Sequence, residues 1–206
     1  MTLSTRLNYC TVENLDCILV LLDQPVVSQM STLCNACEII HNLLQLESQN
    51  GRLKTRIVAC LIKSGGILEH FVSLLDNPRT GQTLSIASTK ALTTALAVIP
   101  VNLKVDFADN HDLINVVCTH LKPLSSLWKP QGCTTEAIKC LLEIVKNTSV
   151  EGSLSSEAMK RVKSYALECK VQDVMNMSTD LARHLGIDLN HAYESAEDEE
   201  GKTTIV

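Results

Sequence analysis

The chain has 206 residues, a net charge of −5 and 45% hydrophobic residues, enough apolar matter for one packed domain or a short stack of repeats. Aromatic residues make up only 3%, so Leu, Ile, Val, Ala and Cys must build the interior, a composition suited to closely stacked helices. No basic run and no basic–aromatic interleaving occurs, which excludes the concentrated cationic footprint of a nucleic-acid binder; no apolar run reaches the ~18 residues of a membrane span.

Residues 1–12 read as a lead-in. A first helix is expected over residues 13–23, stopped by Asp23-Gln24-Pro25, because proline removes a backbone donor and restricts the residue before it. Its stretch Leu15-Asp16-Cys17-Ile18-Leu19-Val20-Leu21-Leu22-Asp23-Gln24-Pro25 recurs 53 residues later as Leu68-Glu69-His70-Phe71-Val72-Ser73-Leu74-Leu75-Asp76-Asn77-Pro78. An internal repeat of this period points to stacked helical units. A long helix over residues 30–46 follows the first copy, with Leu33, Cys37, Ile40 and Leu44 on one face. A third helix is expected over residues 52–64, ended by Gly65-Gly66.

The second unit opens at Gly66 and continues into a long helix over residues 83–98, with Leu84, Ala87, Ala91, Thr94, Ala95 and Val98 in register before Pro100. A weaker segment over residues 102–109 takes the third-helix place. The third unit begins at Asn110, a residue suited to an N-cap, with Leu113, Val116, Val117 and Leu121 on one stripe. A loop carrying Pro123, Ser125, Ser126, Trp128, Pro130 and Gly132 leads into a helix over residues 134–146 with Ala137, Ile138, Leu141, Leu142 and Val145 apolar. Two closing helices are expected over residues 157–170 (Met159, Val162, Ala166, Cys169) and 171–185 (Val171, Val174, Met175, Leu181, Leu185), with Gly186 as the stop. The remaining segment, 188–206, turns acidic and polar and is expected to lack fixed structure. It concentrates most of the negative charge and leaves the body close to neutral.

Ser64-Gly65-Gly66-Ile67-Leu68-Glu69-His70-Phe71-Val72-Ser73-Leu74-Leu75 resembles the junction between armadillo repeats, where a glycine stop is followed by an Ile-Leu helix. Ala36-Cys37-Glu38-Ile39-Ile40-His41-Asn42-Leu43-Leu44 is similar to that family's long third helix. The resemblance covers residues 13–147, and HEAT-like repeats share the same helical logic. It implies an all-α, right-handed solenoid of about three units spanning residues 13–187, closed by C-terminal helices, and a role in binding a protein partner. It also implies a groove lined by Glu38, His41, Asn42, Gln45, Lys90, Thr94, Lys139, Glu143 and Lys146. The regular Trp/Asn ladder of armadillo carriers that grip extended basic peptides is absent, so that cargo role is not carried over.

Cysteine offers the sharpest alternative. The nine cysteines are odd in number and sit mostly in apolar runs, which reads as reduced thiols used as small hydrophobes in cytoplasm or nucleus. Cys34, Cys37 and His41 nevertheless fall at i, i+3 and i+7, one helix face, and a metal- or redox-dependent regulator or enzyme is the competing reading. The bland alternative is that Cys34 and Cys37 fill the apolar stripe. Neither a nucleophile elbow, a phosphate-binding glycine loop nor a His-Glu-x-x-His pair occurs, so no cofactor and no catalytic residue are expected. The end, Thr204-Ile205-Val206, matches the Ser/Thr-x-apolar pattern that PDZ domains bind by strand addition and carboxylate capture. A further expectation is that the chain is a short isoform or fragment of a larger scaffold, since its first helix lacks a polar cap unit.

Overall fold

Periodicity of about 3.6 residues in the apolar positions is realised as helix throughout the part of the chain that can be described. The computed structural model describes residues 17–18, 20–22, 26–47, 67–99, 111–146 and 154–189. These form α1 (Val26–Glu47), α2 (Ile67–Asp76), α3 (Gln82–Val98), α4 (His111–Thr119), α5 (Thr134–Val145), α6 (Ser156–Glu168) and α7 (Gln172–His184). Residues 17–18 and 20–22 are helical as well, and no strand occurs among the described residues. The helices expected over 52–64 and 102–109, the Gly65-Gly66 stop, the Asn110 cap and the acidic tail lie outside them.

Helix α1 starts at Val26, earlier than the expected residue 30, and the extra turn is set off by a kink at Gln29 (φ −130°, ψ 24°). Beyond the kink its stripe is the expected one: Leu33, Cys37, Ile40 and Leu44 are all buried, joined by Ala36. Helix α2 buries Phe71, Leu74 and Leu75. Helix α3 is buried on most of its circumference by Leu84, Ser85, Ala87, Ser88, Thr89, Ala91, Leu92, Ala95, Leu96 and Val98. Such a helix must satisfy its own polar groups. Ser88 donates to the Leu84 carbonyl at 2.7 Å, Thr89 to Ser85 at 2.7 Å and Thr93 to Thr89 at 2.8 Å, each one turn back, the local bond that serine and threonine make inside helices.

Helix α5 buries Ala137, Ile138, Cys140, Leu141, Leu142, Ile144 and Val145. In α6 Ala158, Val162, Tyr165 and Ala166 are buried, with Cys169 buried just past its end, while Met159, expected inside, is 36% exposed. Phase alone does not produce this, since Met159 lies within about 20° of the buried Ala166 seven residues on, and the difference is that Met159 sits in the first turn of the helix. Ser155 caps α6 by accepting from the Ala158 amide at 3.2 Å. Helix α7 carries Asp173 in its first turn and Arg183 and His184 in its last, matching the helix dipole. It stops as expected at Gly186, whose φ of +65° lets the Ile187 amide reach back to the Ala182 carbonyl at 2.9 Å.

Packing follows a simple order. Helix α1 lies along α3, α3 along α5, and α5 along α7, while α2 contacts α3 and α4, α4 contacts α5, and α6 contacts α7. One hydrophobic cluster runs continuously from Leu22 to Ala182. Among the described residues no helix is long and apolar enough to cross a membrane.

Two substitutions report on this core. Phe71→Ala removes a fully buried ring and is expected to cost about 3–5 kcal/mol of unfolding free energy. Tyr165→Phe, which removes the hydroxyl donated to the Lys122 carbonyl at 3.1 Å, is expected to cost about 1 kcal/mol. Urea unfolding followed by circular dichroism at 222 nm checks both, and equal losses would contradict this account.

Candidate partner-binding face

His41 joins two helices and feels the charge of a third. It lies on α1, is only 7% exposed, and its Nδ1 is 2.6 Å from Oγ1 of Thr94 on α3. The Thr94 hydroxyl donates to the Lys90 carbonyl at 2.9 Å. One hydroxyl has one proton, so the consistent assignment is that His41 Nδ1–H donates to Thr94, which donates onward to Lys90. The imidazole is held neutral: burial lowers its pKa, the Lys90 ammonium lowers it further, and Glu136 and Glu38 oppose that only in part. Glu136 belongs to α5, so charges from all three helices act on this ring.

The other residues expected to line a groove are distributed around this junction. Glu38, Asn42 and Gln45 are exposed on α1, and Lys90 is exposed on α3. Thr94 is half-buried. On α5, Lys139 pairs with Glu136 at 2.9 Å and Lys146 with Glu143 at 3.4 Å. Glu143 is largely covered, its side chain 15% exposed. His41 therefore departs from the sequence reading in one respect: it is a buried linker between helices, with no open groove position of its own. Glu136 was missed by that reading. Its signal was present, since Glu136, Lys139 and Glu143 are spaced i, i+3, i+7 and share a face.

Sulfur chemistry follows burial. Burial pushes the Cys37 thiol up to about 12, with the neighbouring Cys34 adding to it. Cys140 is likewise pushed up to about 12 and Cys118 to about 11, in both cases chiefly by burial. Cys133 joins α5 to α3, its Sγ 3.3 Å from Thr89 Oγ1 and donating to the Ser85 carbonyl at 3.3 Å. Among the described residues no group of three His, Cys, Asp or Glu side chains converges to hold a metal ion, the Cys34/Cys37/His41 stripe included. Thr204, Ile205 and Val206 lie outside the described residues.

A second histidine, His120, donates from Nε2 to the Leu75 carbonyl at 3.2 Å, linking α4 to α2. Its pKa is also lowered, first by burial. A histidine held neutral in the fold gains a proton more readily when unfolded. Its contribution to stability is therefore full above the unfolded value, about 6.5, and is lost as pH falls through the depressed folded value. Unfolding free energy is expected to drop between pH 7.5 and 5.0, and His41→Gln with His120→Gln is expected to flatten that drop. A pH profile identical in the double variant would refute the assignment.

Thiol accessibility gives an independent check. Cys17 is exposed, whereas Cys37, Cys133, Cys140 and Cys169 are buried. With N-ethylmaleimide on folded protein at pH 7.5, Cys17 is expected to be alkylated first among these. The buried four should react only in denaturant, as peptide mass spectrometry of timed samples would show. Rapid native labelling of Cys37 would contradict the packing.

No protein-family model, no curated protein and no solved structure matches this chain.

Proposed function

We propose that the chain is a non-catalytic interaction module, an adaptor, scaffold or regulatory subunit of armadillo-like solenoid design, that binds a partner peptide or helix across α1, α3 and α5. The observation that carries this reading is the His41 junction. His41 and Thr94 are separated by 53 residues and in contact, the same offset that relates Leu15–Pro25 to Leu68–Pro78. Equivalent positions of successive units touching each other is what stacked repeats produce.

The consequence is a composite surface. Glu38, Asn42 and Gln45 on α1, Lys90 on α3, and the Glu136–Lys139 and Glu143–Lys146 pairs on α5 lie on helices packed in succession. Mixed charges and amides suit a polar partner recognised by several modest contacts, with register set by charge placement. A binding role, in place of chemistry, is supported by the thiols: Cys37 and Cys140, pushed up to about 12, are protonated at neutral pH and poor nucleophiles.

A photo-crosslinking amino acid placed at Asn42, at Lys90 and at Lys139 is expected to capture the same partner from cells, and one placed at Arg183 is expected not to. Lys90→Glu should weaken that partner's affinity by about ten-fold, ~1.4 kcal/mol, without changing the helical signal. Different partners at the three positions, or equal capture at Arg183, would defeat the reading.

A further inference from the structure

The α2–α3 connection, residues 77–81, takes five residues, and the α4–α5 connection, residues 120–133, takes fourteen. The longer one is tightly built. Within it, Trp128 N–H donates to the Ser125 carbonyl at 2.8 Å, Ser125 Oγ donates to the Lys129 carbonyl at 2.8 Å, and Lys129 N–H donates to Ser125 Oγ at 3.1 Å. Outside it, Lys170 N–H donates to the Trp128 carbonyl at 2.8 Å. Arg161 donates to the Leu121 carbonyl, and Tyr165 to those of Lys122 and Pro123. These bonds hold Trp128 at φ +58°, the left-handed region, the one non-glycine residue so placed among those described. A bulky residue there is strained, and glycine or asparagine would fill the position at less cost.

What the loop does with this order is present apolar side chains to solvent. Leu127 is 69% exposed and Trp128 40% exposed. Basic residues accompany them: Lys129, next in the chain, and Lys170 are exposed, with the Lys170 ammonium 6.0 Å from the Trp128 ring centre, while the Lys122 ammonium turns back to the Thr119 carbonyl. No Asp or Glu occurs from residue 113 to residue 135. Glu168 and Asp173 flank Lys170 along the chain, so Lys129 carries the charge with no acidic neighbour in sequence.

We propose that the Leu127–Trp128 tip is a docking knuckle for an acidic protein segment, whose apolar side chains meet Leu127 and Trp128 and whose carboxylates meet Lys129 and Lys170. A preordered tip loses little freedom on binding, and tryptophan is the side chain most enriched among residues that dominate interface energies. Strain retained in a well-bonded loop is where function tends to be found. Charge complementarity selects the acidic partner. A lipid surface is the poorer match, because two apolar side chains and two lysines fall short of the paired anchoring signals or the 4–8 basic residues that membrane attachment takes. This surface shares no residue with the face around His41 and stands or falls without it.

Trp128 is the chain's sole tryptophan, so its fluorescence reports the knuckle directly. Random twelve-residue peptides displayed on phage are panned against the full chain, and recovered peptides are synthesised and titrated by fluorescence and calorimetry. Recovered sequences are expected to combine Asp or Glu with apolar residues and to shift Trp128 emission to the blue. Leu127→Ala, Trp128→Ala and Lys129→Glu should each weaken binding on the order of ten-fold. Arg183→Glu, about 17 Å along α7 from its start, should leave it unchanged. Leu127→Ala removes a side chain that is mostly exposed, so its helical signal and melting should match wild type, which keeps binding loss distinct from unfolding. Any of three results would overturn the proposal: peptides bound equally by Leu127→Ala and Trp128→Ala, recovered peptides without carboxylates, or Trp128-dependent binding to phosphatidylserine vesicles in place of peptides.

Discussion

Among the described residues, four helices are tied together by one of them, α3, which has almost no free side. Helix α3 is covered by α1 and α5, and α2 packs on it as well. Close approach on several sides limits side-chain size, since interaxial distance is set by the residues at the contact. The sequence meets that limit with Ala87, Ser88, Ala91 and Ala95. Small residues alone would leave voids, and Leu84, Leu92 and Leu96 fill them. Hydroxyls enter the core only because each returns its proton to a carbonyl one turn back, so no buried donor is stranded.

The same closeness explains the polar links between helices. His41 to Thr94 joins α1 and α3, Thr89 to Cys133 joins α3 and α5, and His120 to the Leu75 carbonyl joins α2 and α4. Each link uses a group with few alternative partners, which fixes sliding and rotation of one helix on the next more sharply than apolar contact does. The links also set the electrostatics. Because His41 is buried beside Lys90 it stays neutral, and the exposed charges of α1, α3 and α5 face solvent without a buried cation beneath them.

Core positions were legible in the sequence because burial and helical period reinforce each other. Leu33, Cys37, Ile40 and Leu44 were identifiable from spacing alone, as was the Gly186 stop, where a left-handed residue lets the ladder close. Position within a stripe was less legible. Val162, Ala166 and Cys169 were read correctly as inside, but Met159, within about 20° of Ala166 around the same helix, is partly exposed, which periodicity cannot foretell. The start of α1 was missed because a proline marks both the end of one helix and the entry to the next, and Pro25 precedes Val26 directly. His41 sat at the margin of its stripe, and whether such a residue is inside depends on what the neighbouring helix places over it. That information resides in Thr94, 53 residues away, and is invisible to local periodicity.

The tryptophan loop obeys a different logic from the rest. Among the described residues the other large rings, Phe71 and Tyr165, are fully buried, and small aliphatics and cysteines do the remaining packing. A sequence this sparing with aromatic residues places its one Trp where it stays 40% exposed and must hold a left-handed backbone. Packing does not require it there, since helix α2 joins α3 through five residues with Gly81 at the junction. Nor does the loop need the ring to stay ordered, because its bonds to Ser125, Lys170, Tyr165 and Arg161 run through backbone carbonyls and amides, with the Ser125 hydroxyl the one loop side chain among them. A side chain that neither the core nor the loop demands, held in a fixed and costly pose, is most economically explained by something that comes to meet it.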